Sequence, residues 1–74
     1  MLEDIDVIEI KTEYIKLDQL LKWSNFVSSG TEAKLLIING EVKVNGEVEL
    51  RRGKKIYTGD VVELNDERIT VKRG

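Results

Sequence analysis

Four of the five residues at positions 51–55 are basic: Arg51, Arg52, Lys54 and Lys55 surround Gly53. Cations this closely spaced can hold a row of phosphates by charge and N–H donation, without reading base sequence. The same run also reads as an ordinary solvated loop. A second candidate is Ser29-Gly30-Thr31-Glu32, followed by Lys34. If a helix starts here, the free N–H groups of Gly30 and Thr31 and the positive end of the helix dipole offer a phosphate site. Lys16 and Lys22, on a preceding helix, would add charge. The competing reading is a capping box, in which Ser29 and Glu32 satisfy those N–H groups themselves. Tyr57, next to the basic run, is the better placed aromatic for stacking on a base. Trp23 falls at a helical spacing that suits partial burial in the core.

Catalytic chemistry finds little here. The chain has no Cys and no His, which removes thiol nucleophiles, imidazole-based triads, disulfides and Cys/His zinc sites. Nothing in the spacing of Asp18, Glu32 and Asp60 singles out an acid–base pair, and Ser24, Ser28 and Ser29 have no evident base. GTEAKL is not a nucleotide-binding loop. A protein without enzymatic activity, metal or cofactor is the expectation.

The net charge of −2 hides an uneven distribution. Residues 1–13 carry five acids and one base, residues 14–58 eight bases and five acids, and the rest four acids and three bases. A basic face on an otherwise acidic protein follows. The opening MLEDIDVIEIK is acidic and alternating, unlike a signal peptide, and the longest apolar run, residues 35–38, is far short of a membrane span. A soluble, cytoplasmic protein is expected. Seventy-four residues make one domain near the lower limit for folding on a hydrophobic core alone.

These residues need elements to position them. Ile5, Val7, Ile8 and Ile10 predict a strand over 5–11, and Thr12-Glu13-Tyr14 a connection. Leu17, Leu20, Leu21, Trp23 and Val27 predict a helix over about 16–23, broken by Ser28-Ser29-Gly30. A second helix starts at the Ser29 cap, with Ala33, Leu36 and Ile37 buried and Leu35 and Ile38 widening the stripe. Asn39-Gly40 ends it in a left-handed cap. The period then becomes two: Val42 and Val44 point in and Lys43 out. Asn45-Gly46 turns a hairpin into a strand carrying Val48 and Leu50. Ile56-Tyr57, residues 61–64 and residues 69–71 complete a run of strands. The fold class is α+β, with two short helices packed on a small, mainly antiparallel sheet. One domain spans 1–74, with a leading acidic strand in 1–14, a motif core over 15–64 and a terminal strand in 65–74.

From residue 16 to 64 the chain resembles the RNA-binding domain named after ribosomal protein S4. IKLDQLLK, SGTEAKLLIINGEVKVNGEVEL and IYTGDVVEL carry the likeness, and VKVNG followed by a later GD is its most specific part. RRGKKIYTGDVVEL and SGTEAK are similar to the small stand-alone members of YaaA and YbcJ type. The resemblance implies an alpha-L RNA-binding fold and ribosomal RNA, or an assembling ribosome, as partner. It also implies RNA-facing roles at Lys16, Ser29, Thr31, Lys34, Lys43 and Asn45. Many members have Arg after the serine, where this chain has Gly30, and Arg in place of Lys16 and Lys34.

Two other functions compete. A β-grasp sulfur carrier shares VNGE and GDVVEL segments at this size, but such carriers use a Gly-Gly tail where this sequence reads Lys72-Arg73-Gly74. A protein-interaction module would instead use the acidic first strand as an edge for a partner.

Overall fold

A computed structural model describes residues 5–74. Glu3 and Asp4 of the acidic leader lie outside the described residues. The elements run β1 (Ile5–Ile10), β2 (Tyr14–Lys16), α1 (Leu17–Trp23), α2 (Gly30–Ile38), β3 (Val42–Val44), β4 (Glu47–Val48), β5 (Lys55–Tyr57), β6 (Val61–Leu64) and β7 (Glu67–Arg73). Five strands form one sheet in the order β1-β7-β6-β3-β4, and β2 pairs with β5 in a separate ribbon. Among the described residues only β1 and β7 run parallel; the other pairs are antiparallel. This is the expected α+β architecture of two helices on a mainly antiparallel sheet.

Strand alternation sends Val42, Val44, Val62, Leu64, Ile69, Val71 and Ile10 to one face, where they join Leu17, Leu20, Leu21, Ala33, Ile37 and Ile56 in a single buried cluster. No polar or charged residue is buried among the described residues. The core is therefore held almost wholly by the hydrophobic effect.

Local chemistry explains the turns. Asn45 and Gly46 have φ of 53° and 88°, both positive as a two-residue type I′ hairpin requires. The same device recurs at Asn65 and Asp66, with φ of 52° and 68°, in the two-residue turn between β6 and β7. Helix α2 ends as anticipated. Gly40 has φ of 78°, and the N–H groups of Gly40 and Glu41 reach back to the carbonyls of Ile37 and Leu36, the paired bonds of a Schellman cap.

Several expectations need correction. Tyr14 does not lie in a connection: residues 14–16 form β2, and Lys16 is the residue flanking α1 rather than its first turn. Helix α1 ends at Trp23 as expected, but the residues that stop it precede Ser28. Asn25 takes φ of 68°, and the N–H groups of Asn25 and Phe26 bond to Lys22 and Leu21 in a second Schellman cap. Trp23 is 57% exposed rather than partly buried, and Leu35 and Ile38 are 51% and 50% exposed. They lie on the outer side of helices whose buried stripe is only two or three residues wide. Val48 is turned outward because the two-residue hairpin sets it opposite Lys43, on the solvent side of the sheet; Leu50, past the end of β4, is exposed as well.

Candidate functional site

The strands β2 and β5 read YIK and KIY. Their antiparallel register sets Tyr14 opposite Tyr57, Ile15 opposite Ile56 and Lys16 opposite Lys55. With alternate side chains on opposite faces, the isoleucines share the core side and two tyrosines and two lysines share the other. Ile56 is fully buried, while Lys16, Lys55 and Tyr57 are exposed. The tyrosine rings lie 5.6 Å apart at 49°, and the Lys55 ammonium sits 5.0 Å from the centre of the Tyr14 ring, within cation–π range.

The basic run is joined to this ribbon through its backbone. The N–H groups of Leu17 and Asp18, at the start of α1, donate to the carbonyls of Lys54 (2.9 Å) and Arg52 (3.1 Å). A helix start needs such acceptors because its first N–H groups have none within the helix. Residues 51–54 are thus a docked turn rather than a free loop, held at the residues that follow Lys16. Arg51 is the exception in charge. Its Nε donates to Glu49 Oε2 at 2.9 Å and its Nη2 to Oε1 at 3.3 Å. This pairing lowers the Glu49 pKa and raises that of Arg51. Among the described residues, Lys16, Arg52, Lys54 and Lys55 are in no ion pair. Arg51, Gly53, Lys54, Lys55 and Tyr57 line one shallow hollow.

At the start of α2, Ser29 caps the helix by accepting from the Glu32 N–H at 3.2 Å. Glu32 does not close the expected box. Its Oε1 instead accepts from the N–H and hydroxyl of Ser28, both at 3.0 Å, and the Ser28 N–H, followed by its hydroxyl, lowers the Glu32 pKa. Gly30, Thr31 and Lys34 are exposed. Open space surrounds the position a Gly30 side chain would take. Lys22 lies on α1 beside Gln19 and the exposed Trp23.

Two candidates stand apart from these. Lys43 is opposite Glu63 in the sheet and shares a hollow with Glu41, Glu63 and Asp66, so its surroundings are acidic. Both ends of the Asn45 amide are bonded within the protein. Its Oδ1 accepts the Val61 N–H at 2.9 Å, and its Nδ2 donates to Asp60 Oδ1 at 3.1 Å. The other Asp60 oxygen accepts the Tyr57 N–H at 2.9 Å. The VNG and GD segments therefore clasp the β3–β4 hairpin to the end of β5. Sequence reading gave no role to Asp60 and no signal to Tyr14, yet both shape this surface. The mirror-image triplets YIK and KIY were the available clue.

The S4 domain family matches residues 8–72. The chain is 49% identical over 57 residues to a Bacillus subtilis protein named as a probable ribosome maturation protein, RlbA, covering 77% of this chain and 80% of that one. It is 38% identical over 61 residues to the putative RNA-binding protein YbcJ of Escherichia coli, covering 82% and 87%. The solution structure of YbcJ from E. coli, whose alpha-L motif is described as involved in RNA-binding, superposes with a TM-score of 0.70 at 32% identity, covering 96% of this chain and 91% of that one.

Proposed function

This chain belongs to the S4 domain family, and from that premise we propose that it is a non-catalytic RNA-binding protein that contacts ribosomal RNA or an assembling ribosome in the cytoplasm. The whole chain acts as one RNA-binding unit. The observation that carries the reading is the group Lys16, Arg52, Lys54 and Lys55 around the start of α1, none of them in an ion pair among the described residues, with Lys54 alone feeling a carboxylate, Glu49. Clustered cations in excess of the nearby carboxylates suit a polyanion, and helix and ribbon together hold them in place. The proposed interface also takes in the exposed Ser29, Gly30, Thr31, Lys34 and Lys22. Arg51 orders the turn through Glu49, and Asn45 holds the hairpin beside it. Lys43 contributes least, given its acidic neighbours. The ribosomal target draws support from the name of the B. subtilis relative.

Two measurements test this. About four to six phosphate contacts should give a log–log salt slope of affinity of roughly −3 to −5; a flat slope would mean that phosphate contact does not drive binding. Crosslinking the protein in cells and sequencing the attached RNA should return mostly ribosomal RNA. Recovery of other RNA classes alone would overturn the ribosomal assignment.

A further inference from the structure

We propose that the Tyr14/Tyr57/Lys16/Lys55 face of the β2–β5 ribbon is a site for one unpaired nucleotide, so that the preferred RNA is a helix interrupted by a bulged or flipped base. This rests on the RNA-binding reading and narrows it to a class of RNA. Three features of the face converge. Tyr57 is 43% exposed on a strand, and the ring of its neighbour Tyr14 lies 5.6 Å from its own. Lys55 already packs its ammonium over Tyr14, which leaves Tyr57 as the open ring. Lys16 and Lys55 are direct cross-strand partners, and like charges so placed repel. No carboxylate pairs with either among the described residues. A phosphate between them would relieve that repulsion, two residues along the strand and on the same face as an aromatic surface. A base with a phosphate attached supplies both halves.

A perfect duplex does not. Inside an A-form helix both faces of each base are covered by neighbouring bases, and proteins reach mainly the phosphates and 2′-hydroxyls. The lysines can use such a surface; the ring cannot. Base–aromatic stacking therefore adds affinity only where a base has left the stack.

The test compares two RNA hairpins of equal stem length at one salt concentration, one fully paired and one with a single bulged adenosine. Wild-type protein should prefer the bulged RNA by about tenfold or more, from the strength of one stacked base. Tyr57→Leu should abolish the preference, lowering bulged-RNA affinity while leaving paired-RNA affinity within about twofold. Tyr57→Phe, which keeps the ring, should retain it. A 2-aminopurine at the bulge should lose fluorescence on binding wild type but not Tyr57→Leu. Equal wild-type affinity for both RNAs, with the expected salt dependence, would overturn the nucleotide site and leave the RNA-binding reading standing. Equal losses on both RNAs in Tyr57→Leu would assign the ring a structural role and overturn the site too. Binding to neither RNA would remove both readings.

Discussion

Replacing Arg52, Lys54 and Lys55 together by Ala is expected to weaken RNA binding by roughly a hundredfold at physiological salt and to flatten the salt slope by about 2 to 3. Each lost phosphate contact removes close to one released counterion from the binding equilibrium. The fold should survive, because the turn is tied to α1 through the carbonyls of Arg52 and Lys54, and Ala keeps both. Loss of the Lys55–Tyr14 contact costs about 0.5–1 kcal/mol, and relief of the Lys16–Lys55 repulsion offsets part of it. Arg51 is left in place because its guanidinium is held by Glu49. Lys72→Ala with Arg73→Ala, at the end of β7, should change RNA affinity less than about threefold. Unaltered RNA binding by the triple variant, measured by anisotropy beside its melting curve, would show that this surface is not the interface.

The second large effect is on stability. Ile56 is fully buried at the centre of β5, between Lys55 and Tyr57 on the opposite face. Ile56→Ala should cost about 2–5 kcal/mol. For a domain of this size that lowers Tm by roughly 10 °C or more. A chain this short has little stability in reserve. RNA binding should fall along with it, since the ribbon that aligns both tyrosines and both lysines is anchored to the core through this residue and Ile15. A urea titration in which the midpoint of Ile56→Ala matched wild type would contradict the anchoring role.

What could be read from the chain follows from how local each cause is. Asn39-Gly40 and Asn45-Gly46 were correctly separated into helix stop and hairpin because positive φ is required in both places and the hydrophobic period changes between them. The end of α1 at Trp23 was read correctly, but the break was credited to Ser28-Ser29-Gly30, because Asn25 caps the helix without a glycine and Asn is the weaker signal. The exposure of Trp23, Leu35 and Ile38 was not legible. Periodicity marks a helix face, but the sheet decides how much of that face is covered. The YIK–KIY pairing was missed for a related reason: three-residue strands some forty residues apart carry no periodic signal, and only the fold gives their register. For the site, charge alone pointed to residues 51–55 and Lys16. It could not show that Arg51 is occupied by Glu49, or that Asn45 is spent on the Asp60 clasp.

The parallel pairing of β1 with β7 governs how the chain reaches its native state. Ile5 lies opposite Arg68 and Ile10 opposite Arg73, so a strand near one end waits for a strand near the other. Contacts across so much sequence slow folding, because the loop must close before they give any return. During synthesis the helices and the β3–β4 hairpin can form early from neighbouring residues. Strand β1, with exposed Ile5 and Val7, stays unpaired until β7 has been made, and an unpaired apolar strand invites association with other chains. Its Asp6 and Glu9 then act as gatekeepers: charge on the waiting strand keeps nascent copies apart until its partner emerges.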